Sequence, residues 1–275
     1  IKEIEGVRIG NAEDAVNATG CTVIISETGA PTGVDVRGGG PASRDLQLLS
    51  ANASAEQIHA VLLGGGSAYG LQAATGVMNY LEKKGIGYPV GNGVVPLVVQ
   101  SDIFDLGCGS FSVRPDDRLA MKACEGAYAD NYRDGCRGAG TGATVGKMKG
   151  MEWCTKTGLG SYAVQVGDIR VGAVVCVNAL GNIYDRGGNC IAGMRREDGS
   201  GFESVSELMI ANHSRVTENT FTGNTTIDAM STGNVPADED LVGTLAAEVM
   251  QEAIYRAVDS AESGYGFPAA KDIRR

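Results

Sequence analysis

Glycine constrains this chain more than any other residue type, occupying 41 of its 275 positions. The glycines follow no collagen period. They gather between apolar runs, as in Gly38-Gly39-Gly40, Gly64-Gly65-Gly66 and the stretch from Gly138 to Gly146. Only glycine lacks a Cβ, so such clusters predict tight turns and places where two backbones approach closely. The runs between them read as regular elements. Residues 21–26 and 60–63 predict buried strands, the second leading straight into Gly64-Gly65-Gly66-Ser67. Beyond it, Leu71, Ala74, Val77, Met78 and Leu81 fall on one helical face, with Ser67 as a natural N-cap. A strand, a glycine loop and a helix start together suit an anion, although the same arrangement is also a plain tight turn.

Farther along, residues 94–99 predict a strand that Pro96 confines to an edge or a bulge. Residues 115–129 predict a helix with Leu119, Ala123, Cys124 and Ala127 inward. Residues 161–166 alternate as a half-buried strand does, and 172–177 form an apolar strand ending in Asn178. A long helix over 238–261 carries an inward stripe of Leu241, Leu245, Val249, Ala253, Ile254, Ala257 and Val258. Between these, 185–218 is polar and loop-rich. The stretch from Gly138 to Lys147 invites a phosphate-loop reading. It departs from that motif in having five residues between Gly140 and Gly146, and in Met148 where a magnesium-binding hydroxyl belongs. Nucleotide binding therefore stands only as a rival.

The totals exclude several function classes. A net charge of −10 opposes nucleic acid and anionic membrane surfaces as partners, and no apolar run approaches the ~20 residues of a membrane span. With 43% hydrophobic and 20% charged residues, the chain reads as a globule long enough to enclose a site, and a single domain over 1–275 is expected. The start shows no signal-peptide pattern. Seven cysteines without a C-x-x-C pair suggest free thiols in a reducing cytoplasm. His59 and His213 are too few for a metal site, and neither metal nor cofactor is expected. No G-x-S-x-G elbow supports a serine triad.

Chemistry concentrates in Phe221-Thr222-Gly223-Asn224-Thr225-Thr226-Ile227. Gly223 permits a strained turn and Thr226-Ile227 suit a strand start. Attack by the Thr225 hydroxyl on the preceding bond would separate Asn224 from Thr225. The new terminal threonine would then carry a nucleophile and a base together. A strand entered through a polar turn is the plainer reading of the same residues. Asn178, at the end of a buried strand, is placed either to donate to a developing oxyanion or to cap a turn.

Several segments, in order, resemble the L-aminopeptidase/D-esterase family, which includes β-aminopeptidases and the nylon-oligomer hydrolase. They are Val34-Asp35-Val36-Arg37-Gly38-Gly39, Leu63-Gly64-Gly65-Gly66-Ser67-Ala68-Tyr69-Gly70-Leu71, Gly93-Val94-Val95-Pro96, Ile103-Phe104-Asp105-Leu106, Gly138-Ala139-Gly140-Thr141-Gly142-Ala143 and Asn224-Thr225-Thr226. The resemblance implies an α-β-β-α sandwich, two sheets between helix layers. It implies a homo-oligomer whose precursor cuts itself, here into 1–224 and 225–275, and then hydrolyses small peptides, related amides or esters. On that pattern Thr225 is the nucleophile, Lys156 orients or activates it, and Asn178 supports the oxyanion. The rival is an uncleaved, non-catalytic binding relative on the same scaffold.

One departure stands out. In the family, a helix and an Asp-Gly-Asp-Thr turn separate the Asn-Thr-Thr strand from a Ser-Thr-Gly motif, which here is Ser231-Thr232-Gly233. In this chain Ile227-Asp228-Ala229-Met230 joins the two directly. Removing such a unit should expose apolar neighbours, so a break in the backbone near residues 226–229, wider than the usual ~3.8 Å Cα spacing, is expected there.

Overall fold

The computed structural model describes residues 1–211 and 224–273. Its first strands are β1 (Arg8–Asp14), β2 (Thr19–Ala30), β3 (Thr32–Gly38), β4 (Ser43–Arg44) and β5 (Ile58–Gly64). Helix α1 (Ala74–Lys83) leads to β6 (Tyr88–Val90), β7 (Gly93–Val95) and β8 (Val98–Asp102). Pro96 thus splits the apolar run predicted as one strand into two. Helix α2 (Asp117–Tyr128) follows, with the Asp116 side chain accepting from the Leu119 N–H at 2.8 Å. Next are β9 (Thr144–Val145), β10 (Thr155–Lys156), β11 (Leu159–Val166) and β12 (Ile169–Cys176). The chain continues through β13 (Ile183–Tyr184), β14 (Cys190–Ala192), α3 (Val205–Ala211), β15 (Asn224–Met230), α4 (Glu239–Asp259) and α5 (Ala270–Ile273).

One sheet runs β1-β2-β5-β8-β4, with β5 and β8 parallel and its other pairs antiparallel. Alternation along its strands divides the core. Cys21, Val23 and Ile25 of β2, with Ala60 and Leu62 of β5, pack on Val77 and Leu81 of α1 and Ala123 and Cys124 of α2. The intervening Ile9, Ile24 and Leu63 face the other way, toward Leu159, Val174 and Cys176 of the antiparallel β11–β12 pair. Val249 and Ala253 of α4 close the far side of that pair over Tyr162, Val164 and Ala173. The layers are therefore helix, sheet, sheet, helix, as the resemblance implies.

Glycine sets how closely the helices approach. A Cβ on Gly10 of β1 would lie 2.1 Å from the Ala127 nitrogen of α2, and one on Gly160 of β11 would lie 1.9 Å from the Ala253 oxygen of α4. Each outer layer thus rests its backbone on a bare strand position.

Two expectations are corrected. Ser67 does not cap α1: it sits at φ 52 in a 3-10 segment (Ser67–Ala73) that precedes the helix, with Gly66 as the cap residue at φ 83. The Gly66 N–H donates instead to Asp105 Oδ1 at 2.6 Å. An N-cap hydroxyl serves the N–H two or three residues on, and α1 begins only at Ala74, whose N–H donates to Gln100 Oε1 at 3.0 Å. Second, the backbone does not break after Ile227. The Asn-Thr-Thr motif continues to Met230 as one strand, β15, in unbroken antiparallel register with β3 from Asn224↔Gly38 to Met230↔Thr32. The β3 edge supplies backbone partners along the whole length, and Met230 packs beside Ile58, Val61 and Val99. Part of the anticipated exposure remains, since Ile227 is 40% exposed and Val36 36%. The conformation expected at Gly223 lies outside the described residues, as does His213.

Candidate active site

The candidate site forms where the ends of β5, β8 and β12 meet the Gly138–Gly140 turn and β9–β10. Residues 138–145 are buried, and most of their backbone N–H groups are engaged within the protein. Gly138 donates to Glu13 Oε2, Ala139 to Thr22 Oγ1, Thr141 to the Gly138 oxygen and Ala143 to the Gly140 oxygen. A loop so occupied offers no cradle to a phosphate, and the nucleotide-binding rival loses its support.

Lys156, on β10, is fully buried. Its ammonium donates to the backbone oxygens of Ala143 at 2.9 Å, Thr157 at 2.8 Å and Gly140 at 3.3 Å. Those three bonds use its donor capacity and satisfy the turn beside it. Asn178 follows β12. Its Oδ1 accepts from the Thr144 N–H at 3.1 Å and its Nδ2 donates to the Phe104 oxygen at 3.1 Å. Lys156 and Asn178 therefore grip adjacent residues of one turn, Ala143 and Thr144, and the fold brings these two predicted residues together.

Thr225 stands on a different ladder. It pairs with Arg37 across β15–β3, while Lys156 pairs with Thr144 across β10–β9. Asn224 opens the same strand opposite Gly38.

Reading the sequence alone missed two charged residues here. Asp105, 3% exposed, accepts from Thr19 Oγ1 at 2.7 Å as well as from the Gly66 N–H. Burial raises its pKa, opposed by those bonds and by nearby Lys156. The glycine turn after β5 thus holds a carboxyl group supplied from within the chain. Lys147 is the other: burial lowers its ammonium to about 8, and it donates to Asn178 Oδ1 at 3.0 Å. The available signal was a lone lysine closing a stretch of glycine, alanine and threonine, a composition that predicts burial. A concavity of about 410 Å³ lies elsewhere, among Glu13, Leu119, Lys122, Asn131, Arg133 and Arg137, and contains none of the predicted residues.

On β15, Thr226 Oγ1 and Asp228 Oδ1 are buried atoms that find no hydrogen-bond partner among the described residues. They share one face of the strand, two residues apart. Burial pushes the Asp228 carboxyl up to about 6. Its folded value lies above the unfolded ~3.9, so the protonated acid favours the fold. That contribution is complete below about pH 4 and is lost as pH rises through 6. The difference is worth about 2–3 kcal/mol. Asp228→Asn should raise Tm at pH 8 by about 5 °C and flatten the stability profile between pH 4 and 6. Thermal melts across that range test this, and an unchanged profile would contradict the burial of Asp228.

With this geometry in place, the decisive comparison is the model of peptidase family S58, which matches residues 1–210. The chain belongs to peptidase family S58. An uncharacterized aminopeptidase of Mycobacterium leprae is 40% identical over 201 residues, 68% of this chain and 54% of that protein. A 6-aminohexanoate-oligomer endohydrolase of Agromyces sp. is 34% identical over 233 residues, 84% of this chain and 62% of that protein. The chain thus spans about half the length of the mycobacterial relatives it matches. Among solved structures, a Burkholderia sp. β-aminopeptidase superposes with a TM-score of 0.63 at 18% identity, over 98% of this chain and 90% of that one. An L-aminopeptidase D-Ala-esterase/amidase from Ochrobactrum anthropi, described as a variant of the Ntn hydrolase fold, gives 0.63 at 15% identity over the same shares. The S58 match ends before Asn224, so the strand carrying Thr225 lies outside it. Among the described residues, no helix is long and apolar enough to cross a membrane.

Proposed function

We propose that this S58 member is a self-processing N-terminal-nucleophile hydrolase of small peptides, related amides or esters. The observation that carries the reading is the convergence of Lys156 and Asn178 on the Ala143–Thr144 turn, in a peptidase-family scaffold. Self-cleavage yields pieces 1–224 and 225–275 of one folded unit. The α-amine of Thr225, with a reference pKa of ~7.7–8.0, takes the proton from its own Oγ near neutral pH. Oγ attacks the substrate carbonyl and forms an ester. The departing amine or alcohol takes the proton, and water then releases the acyl group. The Lys156 ammonium disfavours a second positive charge nearby and keeps the amine neutral. Asn178 bonds Phe104 through one amide N–H, which leaves the second for the oxyanion.

The reading includes a homo-oligomer acting in the cytoplasm. Self-association is supported by Tyr88, Val90 and Val95, all exposed on the β6–β7 hairpin.

The test is the intact mass of purified protein under denaturing conditions, where two pieces are expected. The uncleaved binding relative remains a second reading because Asn224 and Thr225 both lie in a regular ladder with β3. It would give one full-length species. For the chemistry, Asn178→Ala should lower kcat by about 10²–10³ with the fold intact. Wild-type kinetics would return Asn178 to a turn-capping role.

A further inference from the structure

Lys147 takes no part in the chemistry just described, yet its ammonium is held among oxygens. It donates to the backbone oxygens of Thr144, of Asn178 at 3.1 Å and of Ala179 at 3.2 Å, and to Asn178 Oδ1 at 3.0 Å. The backbone fastens the same segments together. The Lys147 N–H donates to the Leu180 oxygen at 2.8 Å and the Gly146 N–H to the Gly181 oxygen at 2.9 Å. Residues 144–147 are thereby bound along 178–181.

The two ends of an asparagine amide are nearly the same shape, and only the demands of its neighbours decide which way it faces. Around Asn178 those demands agree. The Thr144 N–H requires an acceptor, Phe104 offers a carbonyl on the other side, and the Lys147 ammonium, whose three N–H groups are shared among four oxygens, sets a positive charge beside the Oδ1 end. A turned amide would set its NH₂ against two donors and its oxygen against another oxygen. The ammonium is a strict enforcer because it has no lone pair.

We propose that Lys147 is a positioning residue that locks the Asn178 amide with its N–H end toward the reacting carbonyl. The catalytic consequence rests on the reading of Asn178 as oxyanion donor; the orientation itself does not. A second consequence is pH dependence. Burial brings Lys147 to about 8, and the neutral amine formed above that gains a lone pair and releases the lock. The groups facing it are Lys156 and the thiols of Cys108, Cys154 and Cys176. Burial pushes these thiols to about 11, 11 and 12, so they stay uncharged through this range. Asp105 lies beyond them, beside Lys156, Cys108 and Cys176.

The test combines a structure with kinetics on alanine para-nitroanilide. In crystals of Lys147→Met, or of Lys147→Gln if the first does not fold, Asn178 Oδ1 should no longer accept from the Thr144 N–H. The crystals have to diffract to atomic resolution, where amide oxygen and nitrogen are told apart, and an Asn178 Oδ1 still accepting from the Thr144 N–H overturns the proposal, whatever the activity. In solution, Lys147→Met should lower kcat by about 10²-fold with KM little changed. Lys147→Arg should restore most of the rate and keep it above pH 8, where the wild type declines. The double variant Lys147→Met/Asn178→Ala should be no slower than Asn178→Ala, because the lysine acts through the amide. Additive losses, or Lys147→Met at wild-type rate beside an impaired Asn178→Ala, overturn the proposal. Wild-type rates in Asn178→Ala would instead sink the oxyanion reading, and the crystal structure would still decide the orientation.

Discussion

Thr225→Ala should leave a single chain of 275 residues where the wild type separates, under denaturing conditions, into 1–224 and 225–275. The step proposed is an acyl shift. Oγ of Thr225 attacks the Asn224 carbonyl, a C–O ester bond replaces the C–N amide bond, and the nitrogen becomes a free amine. Water then cleaves the ester, leaving a carboxylate on Asn224. Alanine has no Oγ, so the expected loss is complete rather than partial, whereas Thr225→Ser retains the hydroxyl and should still separate. Denaturing conditions are essential to the measurement. β15 is hydrogen-bonded to β3 along its length, and α4 packs against β11–β12, so both pieces would stay together in the native protein. The same variant removes the proposed nucleophile and should abolish hydrolysis. A wild type that stays whole after prolonged incubation would refute self-processing and favour the uncleaved binding relative.

The second large effect concerns stability. Gly160→Ala would place a methyl 1.9 Å from the Ala253 oxygen and 2.3 Å from the Ala257 nitrogen. Both are backbone atoms of α4, so no side-chain rotation relieves the overlap, and the helix has to lift from the sheet. Lifting it opens the contacts that Val249 and Ala253 make with Tyr162, Val164 and Ala173. The expected destabilisation is about 3 kcal/mol or more, above the usual range for a surface change. Gly243→Ala, on the same helix, is the matched control. Its added methyl meets nothing within 4 Å, and alanine in a helix interior should stabilise by about 0.5–1 kcal/mol. Urea midpoints at constant slope measure both. Equal effects from the two substitutions would contradict the close approach of α4 to β11.

Much of the framework was legible without coordinates because it rests on local periodicity. The helical spacing over 115–129 and 238–261 became α2 and α4, and the alternation over 161–166 became β11, extended back to Leu159. The layer order came from the resemblance, and the alternate faces of β2 and β5 realise it. Local signals failed where a distant group competed. Ser67 has the composition of an N-cap, yet α1 begins seven residues later, where Gln100 of β8 accepts from the Ala74 N–H.

The candidate site divides in the same way. Thr225, Lys156 and Asn178 were named from motif and order alone, and the fold joins the last two at the Ala143–Thr144 turn. The pairing of the strand that carries Thr225 with β3 is a long-range contact that no local pattern announces. Lys147 was hidden because its importance lies in four oxygens from two segments that only folding brings together. Residue identity and spacing determine which secondary structures and which chemical groups this protein possesses. Which donor meets which acceptor is a long-range outcome, settled by burial, where each unpaired polar atom costs about 1–3 kcal/mol.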